Sequence, residues 1–464
     1  MRWEKIQAGA RNSVVQIFNY LIDFDWLQPF DVTPGGIATG SGFFVTETGL
    51  ILTNAHVDAN SASLVIQIPA LGKEKLPVKV QGIVPERDVA ILELTPESLE
   101  KIGNKIGKIK ALKLGNSDAL KPTAEVITLG YPLSEQILKV SKGVISGITD
   151  GYIQIDAAIS PGSSGSPSFN DQGEVIGINS AINPNGQNVS LIIPINTVLN
   201  LLPPLKTRTL YIIPKLGIEL QESSQELIAY VKNPAPGGVY MRKVFPNLLM
   251  AKAGVQPGDM LYKINKNVVD RFGEVDVPWS EDHITLSSYF NRVALGKLLQ
   301  LEIYRKGKRL QLKVPYEQTP RIPISLYFPG FDKIEYEAFG GLILMELRLN
   351  HVPIISKKRP LFNRFMKPEN QLESKIVVTS VLPGSEAQKS NILAIGDIIT
   401  SINKRNVSTL PQVRKALCES KEAIPIRTED KELVIFSFSK IVLMEPELVK
   451  RFNYTPSEFL MGCS

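Results

Sequence analysis

An internal repeat limits the possible folds of this chain more than any other feature. Gly258-Asp259-Met-Leu-Tyr-Lys-Ile264-Asn265-Lys266 returns 138 residues later as Gly396-Asp397-Ile-Ile-Thr-Ser-Ile402-Asn403-Lys404. Upstream, Lys243-Val244-Phe245-Pro246 is echoed by Ser380-Val381-Leu382-Pro383 with a slip of one residue. Solenoid repeats are stable only when several stack, so two copies must be two small domains, each with its own core. They fall at about 214–316 and 335–442, and the second carries an extra Lys-, Arg- and Pro-rich segment over 351–373. The 464 residues, at roughly 100–200 per domain, leave room for one further domain ahead of them and a short tail over 443–464.

Residues 38–205 show short apolar runs separated by turn residues: Gly42-Phe-Phe-Val45, Ile51-Leu-Thr53, Leu64-Val-Ile-Gln-Ile68, Val89-Ala-Ile-Leu-Glu-Leu94, Val126-Ile-Thr-Leu129, Ile153-Gln-Ile155 and Val175-Ile-Gly-Ile178. Strands at this spacing, without helical periodicity between them, predict an all-β sandwich or barrel. The 34 Gly and 32 Pro of the chain supply the turns such a fold needs. A short helix from Asn196 is expected to stop at Pro203-Pro204. The leading arm, 1–37, concentrates Phe18, Tyr20, Phe24, Trp26 and Phe30, more rings than a loose tail needs.

The net charge of +6 over this length is a mild cationic bias, and the basic residues form scattered clusters beside turns, so no nucleic-acid partner is expected. Two cysteines, Cys418 and Cys463, exclude a disulfide framework and fit a reducing compartment. The first residues lack an apolar leader core, and no stretch reaches the ~18 apolar residues of a membrane helix. A cytoplasmic protein without an integral membrane segment is therefore expected, with leaderless export or an organelle lumen after leader removal as alternatives.

Three features point to chemistry. His56, one of only three histidines, follows the buried run Ile51-Leu-Thr53; a lone histidine there is ordinarily structural. Asp88 opens the strand Val89–Leu94, where an acid is a common turn former. Pro161-Gly162-Ser163-Ser164-Gly165-Ser166-Pro167 lies between two strands, and its small residues allow the backbone to aim consecutive N–H groups at one point. Each signal is weak alone. Together they give the order His56, Asp88, Ser164 on an all-β segment, the chain order of chymotrypsin-type barrels. His283 and His351 lack Cys or acidic partners at ligand spacing, so no metal site and no cofactor are expected.

Gly40-Ser-Gly-Phe-Phe-Val, Leu52-Thr-Asn-Ala-His-Val57, Arg87-Asp-Val-Ala-Ile91, Gly115-Asn-Ser117, Leu129-Gly-Tyr-Pro132, Gly143-Val-Ile-Ser-Gly147, Gln154-Ile-Asp-Ala-Ala-Ile159 and Gly173-Glu-Val-Ile-Gly-Ile-Asn-Ser180 resemble the HtrA/Deg family of serine proteases. The repeats resemble PDZ domains, with Leu216-Gly-Ile218 opening the first and Phe339-Gly-Gly-Leu342 the second, a layout similar to the plant-organelle Deg branch and its bacterial relatives. The resemblance implies a mainly β chain: a chymotrypsin-like double β-barrel protease domain followed by two PDZ-like α+β domains. It implies a catalytic triad of His56, Asp88 and Ser164, an oxyanion hole at Gly162, Ser163 and Ser164, and a specificity pocket at Leu191, Ile192 and Ile193. Leu216, Gly217 and Ile218 would form a carboxylate-binding loop for peptide ends, and the arm would pack against neighbouring subunits in a trimer or multiple of trimers. The chain departs from the family at Ser163 and Ser166, where Asn and Gly are usual, and at the short Thr149–Tyr152 connection, where a longer sensor loop is usual.

Two functions follow. One is an ATP-independent endopeptidase of unfolded or misfolded protein, since no Gly-x-x-x-x-Gly-Lys-Ser/Thr nucleotide loop is present. The alternative is a proteolytically silent chaperone or scaffold that works through its PDZ domains.

Overall fold

Strands that are apolar on both faces need two cores, and the first half of the chain supplies them. The computed structural model describes residues 2–149, 151–182, 189–420 and 422–461. Strands β1 (Val14–Phe24), β2 (Val32–Phe44), β3 (Leu50–Thr53), β4 (Ser61–Gln67), β5 (Leu76–Val84) and β6 (Val89–Leu94) close a barrel in the order β1-β2-β3-β6-β5-β4. A second barrel, β10-β11-β12-β9-β8-β7, is built from β7 (Glu125–Gly130), β8 (Lys139–Thr149), β9 (Tyr152–Ile155), β10 (Pro167–Phe169), β11 (Val175–Ile182) and β12 (Ser190–Pro194). The expected double barrel is therefore present. Ile51 packs inside the first barrel with Val15, Ile17, Phe44 and Leu92. Its neighbour Leu52 points the other way, into a core shared with Phe43, Leu129, Phe169 and Ile178. Successive strand residues face opposite sides, so β3 serves both the barrel interior and the seam between barrels.

The chain forms two compact units, residues 1–20 with 37–319 and residues 21–36 with 320–464. Besides the barrels, the first unit holds a module of β13 (Ile218–Gln221), β14 (Val239–Val244), β15 (Met260–Ile264), β16 (Asn267–Val268), β19 (Leu298–Arg305) and β20 (Lys308–Pro315), with the small hairpin β17 (Glu274–Val275) and β18 (Ile284–Thr285) beside it. The module's sheet runs β13-β14-β15-β19-β20. It docks on the barrels through the Arg292–Asp118 ion pair and through Asn200 Nδ2, which donates to Arg292 O at 2.8 Å.

The second unit contains β21 (Glu337–Phe339), β22 (Leu342–Glu346), β23 (Ile376–Val381), β24 (Ile398–Ile402), β25 (Arg405–Asn406), β26 (Ala423–Thr428) and β27 (Leu433–Ser437), in the order β21-β22-β23-β24-β26-β27. From β22 onward this repeats the order of the first module, and β21 is an addition at the edge. The 351–373 segment is less polar inside than its composition suggests. Val352, Ile355, Phe362 and Phe365 are buried with Ile324, Met345, Val377 and Ile398. His351 is fully buried; its Nδ1 accepts the Arg348 N–H at 2.9 Å, and burial pushes its pKa down to about 3, so it is neutral.

The aromatic arm divides between the two units. Phe18 is buried in the first, with the Lys75 ammonium 4.6 Å from its ring centre. Trp26 meets His351 edge-on at 5.3 Å, and Phe30 contacts Tyr336 and Tyr454 at 5.9 and 5.6 Å. Trp26 and Phe30 thus already cover apolar surface of their own chain. Cys418 is disulfide-bonded, which corrects the expectation that the cysteines fit a reducing compartment. Cys463, Asn188 of the segment leading into β12, and Asp150 of the Thr149–Tyr152 connection lie outside the described residues.

Candidate active site

β3 and β6 pair antiparallel with Thr53 opposite Ala90, so the turn after one strand meets the turn before the other. His56 lies in the single turn Ala55–Val57 and Asp88 ends the turn Pro85–Arg87. Asp88 has φ 52° and ψ 43°, left-handed torsions that Asp tolerates better than most residues. Its carboxylate lies 2.9 and 3.0 Å from His56 Nδ1 and also accepts the His56 backbone N–H at 3.0 Å. Ser180 Oγ donates to the second carboxylate oxygen at 2.6 Å. Ser164 Oγ donates to Ser180 O at 3.3 Å, so Ser180 connects the serine to the acid in this resting geometry. The structure thus joins His56 directly to Asp88 and brings Ser164 to them through Ser180. Catalytic hydrogen bonds commonly tighten only when substrate arrives.

The backbone of the Ser164 loop accounts for nearly all its polar groups. Pro161 O accepts the Leu133 N–H at 2.6 Å, and Gly162 O accepts the Ser41 hydroxyl at 2.8 Å. Ser163 O accepts the Ser166 N–H and hydroxyl at 3.1 and 2.6 Å, and Ser164 O accepts the Ser41 N–H at 2.8 Å. Among the donors, Ser163 N–H closes a turn onto Ser160 O at 2.9 Å and Gly165 N–H reaches Asn179 O at 2.8 Å. Gly162, at φ 93°, takes the third position of that turn, where left-handed torsions favour glycine. The N–H groups of Gly162 and Ser164 have no acceptor among the described residues. Two free donors, one of them the N–H of the serine itself, are what an oxyanion hole requires. Ser163, expected as a third contributor, is corrected: its N–H is committed to the turn.

Gly165 permits this geometry. It has φ 86°, and a Cβ there would lie 2.1 Å from Ser41 O and 2.3 Å from Thr53 Oγ1. Ser41 itself was not evident as a site residue from sequence. It is fully buried, its Oγ also accepts the Tyr131 N–H at 3.0 Å, and its carbonyl accepts Thr53 Oγ1 at 2.7 Å.

The three expected pocket residues do not all share a surface. Ile192 is buried with Ile153 and Ile155, and Ile193 with Ile178 and Phe169. Alternation along β12 sends them to opposite faces, which leaves half-buried Leu191 as the one pocket candidate of the three. The other correction concerns His283. Asp270 and Glu274 each place an atom within 4.8 Å of a His283 ring nitrogen, although the sequence spacing hid them. Asp270 Oδ1 already accepts the N–H groups of Phe272 and Glu274 at 2.9 and 2.7 Å, the work of a turn former.

Behind the His56 turn lies Asp58, fully buried, with no partner for either carboxylate oxygen among the described residues. Burial, helped by the Asp88 charge, holds its carboxyl well above the ordinary value of 3.8. The native state therefore keeps a proton that the unfolded chain releases, and stability falls as pH rises from the ordinary value toward the raised one. Asp58→Asn removes this loss. In urea unfolding, its midpoint relative to wild type should rise between about pH 4 and about pH 7. An equal difference at both values would contradict a neutral Asp58.

At the Gly217 loop, Leu216 O accepts the Met250 N–H at 3.0 Å and Gly217 O the Phe245 N–H at 2.8 Å. The Leu216 and Gly217 N–H groups have no acceptor among the described residues, and β13 behind them, starting at Ile218, is an open sheet edge. The second module repeats the loop: Gly340 O accepts the Ala387 N–H at 3.1 Å and Gly341 O the Leu382 N–H at 2.8 Å. Here, however, Gly340 N–H donates to the buried Glu445 carboxylate at 2.8 Å, and β21 covers the edge of β22 with Ala338 opposite Ile343.

Comparison with known proteins agrees with this geometry. The trypsin-like peptidase domain family matches residues 40–178, and the PDZ domain family matches residues 364–425. A probable periplasmic serine endoprotease DegP-like of Marinomonas sp. (strain MWYL1) is 26% identical over 401 residues, spanning 84% of this chain and 76% of the relative. The periplasmic serine endoprotease DegP of Salmonella typhimurium is 28% identical over 406 residues, spanning 84% and 73%. The solved HtrA-type protease AlgW with tripeptide superposes at a TM-score of 0.53 and 22% identity, covering 69% of this chain and 98% of that one, a likeness of fold. Twin six-stranded barrels with a peptidase-domain match define a trypsin-like serine endopeptidase. A C-terminal PDZ domain match and DegP relatives along most of its length support an HtrA/Deg family protease. The relatives are periplasmic, which overturns the cytoplasmic expectation; that expectation rested on the lack of an apolar leader at the start of the sequence, which does not decide the compartment.

Proposed function

We propose that this chain is an ATP-independent serine endopeptidase that degrades unfolded or misfolded protein. In it, residues 38–205 are the protease domain and 214–316 and 335–442 are PDZ domains. One observation carries the assignment of residues: from Gly162 to Gly165 the N–H groups without an acceptor among the described residues are those of Gly162 and of Ser164 itself, beside the bonded pair His56–Asp88. Ser164 Oγ attacks the scissile carbonyl after turning to His56 Nε2, which takes its proton and returns it to the leaving amine. Asp88 holds the imidazole with its proton on Nδ1, and Ser180 and the His56 N–H hold Asp88. The Gly162 and Ser164 N–H groups stabilise the tetrahedral oxyanion; losing one such donor typically costs about 10²–10³ in turnover.

The strand β12 offers Leu191 and no acid, so cleavage after small or medium aliphatic residues is the matching specificity. An unpaired basic side chain in an apolar pocket would be costly. The first PDZ module captures peptide ends, supported by its free loop N–H groups and open edge. An exported location is supported by the periplasmic relatives and by the Cys418 disulfide, a bond that persists in oxidising compartments. Assembly into trimers or their multiples rests on the family resemblance, since Trp26 and Phe30 are already covered within the chain.

The test uses the full chain. A fluorophosphonate should label wild type and not Ser164→Ala, and casein digestion should disappear with the label. Mass spectrometry of the fragments should show cuts after aliphatic residues, and sedimentation velocity a trimeric or larger species. Wild type that neither labels nor cleaves, yet suppresses aggregation, would make the silent chaperone the better account. Cuts dominated by Lys or Arg would overturn the specificity, and an active monomer the assembly.

A further inference from the structure

The Ser164 loop contains a buried hydroxyl for which the reaction has no direct use, that of Ser166, where the family resemblance leads to glycine. Three side chains form a hydrogen-bonded line ending on this loop. Ser168 Oγ donates to Asn179 Oδ1 at 2.6 Å, Asn179 Nδ2 donates to Ser166 Oγ at 2.7 Å, and Ser166 Oγ donates to Ser163 O at 2.6 Å. All three residues are fully buried. In this structure the line runs from Ser168 to Ser163. The Asn179 NH₂ uses a lone pair of Ser166 Oγ, so the hydroxyl proton goes to Ser163 O, and the Ser168 hydroxyl satisfies Asn179 Oδ1. The main chain of Asn179 is tied to the same loop, accepting the Gly165 N–H at 2.8 Å and donating to Ser166 O at 2.9 Å.

A peptide unit is planar, so fixing its carbonyl fixes the N–H at its other end. The unit whose carbonyl belongs to Ser163 carries the N–H of Ser164, one of the two free donors. We propose that Ser166, oriented by Asn179 and Ser168, is a positioning residue of the oxyanion hole: its hydroxyl holds the Ser163 carbonyl and so aims the Ser164 N–H at the developing oxyanion. No proton leaves the line during the reaction, and linked buried hydrogen bonds strengthen one another. The Ser166 N–H, also on Ser163 O at 3.1 Å, remains when the hydroxyl is removed, so the loop keeps its turn and loses part of its orientation.

The inference rests on Ser164 as nucleophile, and the experiment separates the two. Full-length wild type, Ser166→Ala and Ser168→Ala are assayed on a peptide substrate, against a peptide aldehyde that mimics the tetrahedral state, and for binding of a cleavage-product peptide. Ser166→Ala should lower kcat roughly tenfold, part of the full loss of a donor, with KM within about twofold. Aldehyde affinity should fall by the same factor, and product binding should stay unchanged. Ser168→Ala should move kcat and aldehyde affinity in the same sense by roughly threefold. Ser166→Ala with kcat within about twofold of wild type would overturn the inference. So would an equal loss of product binding, the sign of a collapsed loop. If Ser166→Ala does not fold, unchanged kcat and aldehyde affinity in Ser168→Ala would overturn it. Wild type that fails to react with fluorophosphonate would instead overturn the assignment of Ser164.

Discussion

Asp88→Asn is expected to lower kcat by about 10⁴-fold on a peptide substrate while KM and the fold stay nearly unchanged. The carboxylate now accepts from three donors: His56 Nδ1, the His56 backbone N–H and Ser180 Oγ. The His56 backbone N–H reaches one carboxylate oxygen and Ser180 Oγ the other, so an Asn oxygen keeps the backbone donor while the amide NH₂ takes the second oxygen's place. Its NH₂ then faces Nδ1, which has to become an acceptor, so the ring proton moves to Nε2 and the base that Ser164 needs is lost. Asn also accepts left-handed torsions such as φ 52°, so the turn before β6 survives. Steady-state kinetics beside circular dichroism checks this. A folded Asp88→Asn within about tenfold of wild-type kcat would exclude Asp88 as the orienting acid.

The parts of this site legible in sequence are those that carry local signals. His56 follows an apolar strand, Asp88 precedes one, and Ser164 sits in a run of small residues. Strand spacing also showed the barrels, because alternating and doubly apolar runs reflect burial directly. The supports were not legible, because tertiary pairing makes them. Ser41 and Ser180 are ordinary serines until β2 and β11 bring them to the loop; polar Asn179-Ser180 inside an otherwise buried strand was the one available signal. Ser166 reads as a departure from the family and is in fact hydrogen-bonded at both ends of its hydroxyl. Leu191, Ile192 and Ile193 read as one pocket because they are neighbours in sequence, whereas along a strand alternation parts Ile192 from the other two. The acidic neighbours of His283 came with the β17–β18 hairpin, which sets Val275 opposite Ile284. Trp26 and Phe30 could be recognised as rings seeking cover, but their cover lies more than 300 residues along the chain.

Gly217→Val should abolish capture of a peptide C-terminus while cleavage of a short peptide by the barrels continues. Gly217 has φ 75°, and a Cβ there would lie 2.4 Å from Leu248 Cβ, so a branched residue must displace the loop that presents the Leu216 and Gly217 N–H groups. A peptide that adds to β13 needs those donors for its carboxylate and the open strand edge for its backbone. The second module shows what happens when both are already in use. Glu445 accepts the Gly340 N–H through one carboxylate oxygen and the Tyr454 hydroxyl through the other, at 2.8 and 2.7 Å. Glu337 of β21, buried, is held by Arg414 Nε at 2.8 Å from the helix Leu410–Cys418, so the strand that covers β22 is tied to the neighbouring helix. One peptide per chain is therefore expected, bound at the first module. Calorimetric titration of a C-terminal peptide into full-length Ser164→Ala, which leaves the peptide intact, should give a stoichiometry near one. The double variant with Gly217→Val should bind roughly tenfold more weakly or not at all. Two equivalent sites, or an affinity untouched by Gly217→Val, would place capture elsewhere.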